Sequence, residues 1–107
     1  MRKIEQAMID AIKANRNWQS SNTAVTLSMT STPVLVVTLH GNPIARRVGE
    51  HWSWSLAGWN TPTTRSRVNA IARAFNLYRV TTKAGLPFAI RHDHSMFPID
   101  ECEWVSS

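Results

Sequence analysis

Val34-Leu35-Val36-Val37-Thr38-Leu39-His40-Gly41-Asn42-Pro43-Ile44-Ala45-Arg46-Arg47-Val48 is the segment from which the architecture follows. Its first half is apolar at consecutive positions and rich in β-branched side chains, as a central strand with both faces covered requires. Gly41-Asn42 supplies a two-residue hairpin turn, because both residues tolerate positive φ. Residues 43–48 then pair back, with Pro43 acceptable only at a strand start or an edge. Upstream, Val25, Leu27 and Met29 alternate with polar partners, and Thr30-Ser31-Thr32-Pro33 makes a turn. Downstream, Gly49-Glu50 turns the chain into His51-Trp52-Ser53-Trp54-Ser55-Leu56-Ala57-Gly58-Trp59, where aromatic alternates with small. Together these segments predict a four-stranded antiparallel meander over residues 23–59.

A helix is expected on each side of the meander. Within residues 1–16, Ile4, Ala7, Met8, Ala11 and Ile12 recur at the spacing of one helical face, and Asn15-Arg16-Asn17 offers a left-handed cap. Trp18 is expected against the core, with Gln19-Ser20-Ser21-Asn22 as a polar turn. Over residues 61–76, Thr61 is an N-cap, Pro62 the first helical residue, and Asn76 the C-terminal cap. Val68, Ile71, Ala72 and Phe75 form the buried stripe of that helix, with Arg65 and Arg67 on its flanks and Ser66, Asn69 and Arg73 opposite. Residues 78–107 then supply a hairpin turning at Lys83-Ala84-Gly85, followed by short anchors (Met96 to Ile99, Trp104 and Val105) in an acidic tail. The expectation is one α+β, two-layer domain over residues 1–107, in the order α-β-β-β-β-α-β-β.

Composition narrows the function classes. At 107 residues the chain suits one modest core, and 43% hydrophobic with 18% charged residues is globular rather than disordered. No apolar run approaches the roughly 20 residues of a membrane span, and no secretory signal is legible at the N-terminus. The lone cysteine, Cys102, cannot form an internal disulfide, which fits a reducing compartment. All twelve Lys and Arg fall in residues 1–92, against Glu5, Asp10 and Glu50, whereas residues 93–107 carry Asp93, Asp100, Glu101 and Glu103. Either that tail folds back over the basic body, or the body faces an acidic partner such as nucleic acid.

Candidate binding residues concentrate at the entrance of the second helix. Thr61, Thr63, Thr64 and Ser66 add hydroxyls to free helix N–H groups, Arg65 and Arg67 add planar forks, and Trp59 a stacking surface. Asn60, Asn69 and Arg73 extend this set along the helix, His40 and Asn42 add a hairpin tip, and Arg46, Arg47, Arg79 and Lys83 add phosphate contacts. A structural reading competes: Thr61 merely caps and Trp59 packs. Trp52 and Trp54 share a strand face, a core pair if covered and a stacking platform if open, and the available helices favour the core. His92-Asp93-His94 has a spacing that can hold a metal, but no third ligand is fixed, and no metal or cofactor is expected. Cys102 lies between Glu101 and Glu103, which oppose thiolate formation.

Leu39-His40-Gly41-Asn42-x-Ile44-Ala45, followed by Ala57-Gly58-Trp59-x-Thr61-x-Thr63-Thr64-x-x-Arg67-x-Asn69, resembles a group of small proteins encoded by tailed bacteriophages. Asn22-Thr23 also fits, so the resemblance covers roughly residues 20–75 and leaves both ends outside it. The group is mostly without an assigned activity. The resemblance therefore implies a phage accessory protein acting in a bacterial cytoplasm rather than a specific activity. The resulting expectation is a non-enzymatic module that engages nucleic acid, or its processing machinery, through the basic helix entrance. The runner-up is an inhibitor of a host defence or transcription protein. A metal-dependent hydrolase or nuclease using His92, Asp93 and His94 ranks third.

Overall fold

In the computed structural model, residues 2–106 are described; Met1 and Ser107, the ends of the expected domain, lie outside the described residues. The elements in chain order are α1 (Lys3–Lys13), β1 (Trp18–Ser20), β2 (Thr23–Ser28), β3 (Val34–Leu39), β4 (Asn42–Val48), β5 (His51–Trp54) and α2 (Pro62–Phe75). After α2 come β6 (Arg79–Lys83), β7 (Leu86–Ile90), β8 (Met96–Pro98) and β9 (Val105–Ser106). The fold is α+β, with two helices and antiparallel sheets. One sheet has six strands in the order β1-β2-β3-β4-β5-β9, and β6-β7-β8 form a second.

The expected meander is the middle of the larger sheet. Leu35, Val37 and Leu39 of β3 point into the core, as do Val25 of β2 and Trp54 of β5. The other face of β3, with Val34, Val36 and Thr38, is half-buried. Two edges had no expected strand. Trp18–Ser20, expected as a plug and part of a polar turn, instead pairs with Thr23–Val25, and Ser21 takes the positive φ that the turn needs. At the other edge, Val105 pairs with Trp54, so the acidic tail ends as a sheet strand.

The β3–β4 turn falls one residue earlier than expected. His40 and Gly41 carry φ of 52° and 79°, the two positive values of a hairpin turn, while Asn42 already pairs with Leu39. Pro43 consequently sits inside β4 beside a bulge: Thr38 pairs with Pro43 and Val37 with Ala45, leaving Ile44 as the extra residue. Ile44 and Ala45 are therefore both buried. β5 also stops at Trp54 rather than running to Trp59. The Ser55 hydroxyl accepts the Ala57 N–H, and the Trp59 N–H closes a turn onto the Leu56 carbonyl. Ala57 and Gly58 hold positive φ in that turn.

Both helices cover one face of the larger sheet, but their buried faces are not purely apolar. In α1, Met8, Ile9, Ala11 and Ile12 are buried together with Glu5, while Ile4 and Ala7 from the expected stripe are only half-buried. In α2, Arg67 joins Val68, Ala70, Ile71 and Ala72 in the interior, and Phe75 is half-buried. The caps of α2 are as expected, with Thr61 accepting from the Thr64 N–H and Asn76 left-handed at φ 58°. Trp54 is wholly buried and donates its indole N–H to the Tyr78 carbonyl at 2.8 Å. Trp52 stacks on Phe75 with ring centroids 4.8 Å apart, so this tryptophan pair belongs to the core side.

Candidate functional site

The β3–β4 turn and the approach to α2 form opposite sides of one pocket of about 580 Å³. Its inner lining is Leu39, Ile44 and Leu56 with the Thr64 side chain, all buried, and its outer lining includes His40 and Trp59. Asn42, Ala57, Thr61 and Thr63 complete it, and no Lys, Arg, Asp or Glu contributes. Local chemistry explains the shape. The bulge turns Ile44 inward, and the Leu56–Trp59 turn reverses the chain so that Trp59 stands 60% exposed at the pocket's edge. The Gly58 N–H donates to the Glu101 carbonyl, which pins this turn to the C-terminal segment.

The fold brings together six of the expected site residues: His40, Asn42, Trp59, Thr61, Thr63 and Thr64. Asn60 and Arg65 are neighbours of that group but are turned on each other. Arg65 Nη1 donates to the Asn60 carbonyl at 3.1 Å and to Asn60 Oδ1 at 2.6 Å.

Arg67 is not at the surface, contrary to the expected flank position. Its Nη1 donates to Glu5 Oε2 at 2.8 Å and its Nε to Thr23 Oγ1 at 3.1 Å, with both charged partners nearly inaccessible. Ser66 Oγ also donates to Glu5 Oε2 at 2.6 Å, and the Thr23 hydroxyl donates its own hydrogen bond to Asn22 Oδ1. Burial alone opposes ionisation of Glu5, but the Ser66 and Arg67 hydrogen bonds and the charges of Arg67 and Arg2 prevail, holding its carboxyl below the ordinary range. This is the only ion pair among the described residues. The hydrophobic spacing of the helices gives no sign of it, because the two partners lie far apart in sequence.

The remaining candidates have other duties. Asn69 donates to the Val80 carbonyl and accepts from the Val80 N–H, tying α2 to β6 as a neighbouring strand would. Arg46 stacks over the Trp104 ring at 4.5 Å, and Arg47 donates to Asn15 Oδ1 while facing Trp52. Arg73 is exposed near the last turn of α2, away from the pocket. His92 and His94 are exposed, and among the described residues no three His, Cys, Asp or Glu side chains are grouped as a metal centre. Asp93 is held below its ordinary range by hydrogen bonds from the Ser95 side chain and backbone.

Sequence reasoning did not assign the apolar half of the pocket. Leu39, Ile44 and Ala57 stood in the phage-like pattern but were not read as lining residues, and Leu56 carried no local signal at all. Chemically, the pocket offers apolar surface, threonine hydroxyls, one amide and one imidazole. No curated protein and no solved structure matches the chain. A family match runs over residues 1–106, so it takes in α1 and the acidic tail, which the resemblance over roughly residues 20–75 had left out. With both motif segments facing one pocket and the match spanning nearly the whole chain, the protein belongs to the Kyanoviridae Gp96 protein family, a cyanophage family of unknown function.

Proposed function

We propose that the protein is a non-enzymatic docking module that takes an apolar or aromatic side chain of a host protein into the pocket between the β3–β4 turn and α2. The observation that carries this reading is Trp59, 60% exposed beside a hollow with an apolar interior and no Lys, Arg, Asp or Glu in its lining. An exposed tryptophan next to an apolar recess is the usual composition of an interaction hot spot. Membership of a phage family makes a host cytoplasmic protein of nucleic-acid processing or defence the natural partner.

The test is capture from nuclease-treated host lysate by the immobilised protein. The expected result is a stoichiometric partner that Trp59→Ala and Thr63→Arg both lose, while their thermal midpoints stay near wild type. Retention of the partner by both variants would refute the reading.

A second reading, nucleic-acid binding at this end of α2, is favoured by the net charge of +5 and by the absence of carboxylate partners for the other Lys and Arg side chains among the described residues. In that case Trp59 stacks on a base and Arg65 lies alongside the phosphate. Capture would then depend on nucleic acid and fall with salt.

A further inference from the structure

A second concavity, of about 400 Å³, lies at the opposite end of α2 and gathers positive charge. Arg73 and Asn76 reach it from the end of α2, Arg79 from the start of β6, and Arg91, His92 and His94 from the turn after β7. Arg79 pairs across the ladder with Ile90, and Arg91, the next residue along, also lines the concavity while its guanidinium lies over Phe97. The turn that follows is tight: Arg91 N–H donates to the Ser95 carbonyl at 2.8 Å, and His94 N–H returns to the Arg91 carbonyl at 2.9 Å. His94 holds a φ of 70°, and both imidazoles line the concavity.

No carboxylate lines this concavity. The nearest in sequence, Asp93, directs Oδ1 to the Ser95 N–H and hydroxyl within the turn. Arg73 and Arg79 have no side-chain hydrogen bond or ion pair among the described residues, while Arg91 stacks over Phe97 at 4.3 Å and donates weakly to Ser95 at 3.3 Å. Arg73 and Arg79 line the concavity with no carboxylate among the lining residues, so their like charges repel there, offset only by the partial negative charge at the α2 C-terminus. A compact oxyanion relieves that repulsion, and the planar guanidinium fork matches phosphate oxygens.

We infer that this concavity is a phosphate-binding site, distinct from the neutral pocket and separated from it by about 18 Å at the helical rise of 1.5 Å per residue. The phosphate comes either from a nucleic-acid backbone or from free phosphate. Neither source requires the pocket at the other end of the helix, so this site stands even if docking there fails.

The experiment uses the full chain at low salt, with fluorescence anisotropy of a mixed-sequence single-stranded oligonucleotide and calorimetry with inorganic phosphate. Arg73→Ala, Arg79→Ala and Arg91→Ala are compared with Arg16→Ala, an exposed cation that does not line the concavity. Circular dichroism reports the folding of each, and Arg73→Glu serves if Arg79→Ala or Arg91→Ala unfolds. Each concavity substitution is expected to weaken binding about tenfold, the loss typical of a hydrogen bond to a charged group. Arg16→Ala should change it less than about twofold, and each lost contact should lower the salt slope by about 0.7. Such selective loss with the oligonucleotide identifies backbone phosphate as the source; the same loss with inorganic phosphate alone identifies the free anion. Absence of binding by both probes, or equal weakening by Arg16→Ala and the concavity variants, overturns the inference.

Discussion

At the N-terminal end of α2, Arg67 is drawn inside against Glu5, Arg65 is turned onto Asn60, and the adjoining pocket carries no Lys, Arg, Asp or Glu. At the C-terminal end of the same helix, Arg73, Arg79 and Arg91 line an open concavity without a carboxylate. Counting arginines along α2 does not tell which of them stay at the surface. What matters is whether another part of the fold delivers a carboxylate, and α1 delivers Glu5 from 62 residues away.

The largest test of this contrast is Arg67→Ala. It leaves Glu5 buried without its counter-charge, and removal of one partner of such a pair typically costs about 3–5 kcal/mol. Urea unfolding checks the loss. Glu5→Leu combined with Arg67→Met should recover most of it, because both charges leave together. A loss under about 1 kcal/mol for Arg67→Ala would mean that the N-terminal end is no more committed internally than the other.

Acid attacks the same pair from the carboxyl side and should have a smaller effect, because a protonated Glu5 still offers a hydrogen-bond partner. Glu5 titrates below its ordinary value of 4.5 in the folded chain. A carboxyl depressed by folding adds stability that is fully present above its unfolded pKa and is lost as pH falls through the folded value. The thermal midpoint should therefore decline as pH drops below about 4.5, and the Glu5→Leu/Arg67→Met pair should flatten that decline. A decline of equal steepness in the double variant would detach acid sensitivity from this ion pair.

The smallest effect belongs to Thr61→Ala. It removes the hydroxyl that accepts the Thr64 N–H, with an expected cost of about 1 kcal/mol in thermal or urea unfolding. An indistinguishable stability would show that the helix entrance is held by the Asn60–Arg65 contacts rather than by its cap.

Much of the fold was legible because it rests on local chemistry. The run from Val34 to Leu39 is a strand in any context that covers it, and Thr61-Pro62 with Asn76 brackets α2 through backbone preferences alone. The misplacement of the β3–β4 turn had a local cause too. His40 and Asn42 both tolerate positive φ, and only the pairing of Leu39 with Asn42 shows that His40 takes it. The edge strands β1 and β9 were not legible, since three and two residues carry no periodicity. For the site, the polar half of the pocket stood out as a cluster of Thr, Asn, His and Trp. Its apolar half did not, because Leu56 and Ile44 look like any other core residues until a turn and a bulge aim them at the same space.

Hydrophobic period, caps and turn residues, all readable along the chain, were enough for the α+β class, both helices and the central strands, since each depends on neighbours a few residues apart. The docking of α1 across α2 took Arg67 off the surface, and the return of the chain after β7 brought Arg91 to the concavity that Arg73 and Arg79 line. Charge in water is indifferent to its sequence neighbours but not to a carboxylate a few ångströms away, and such proximity exists only once distant segments have packed.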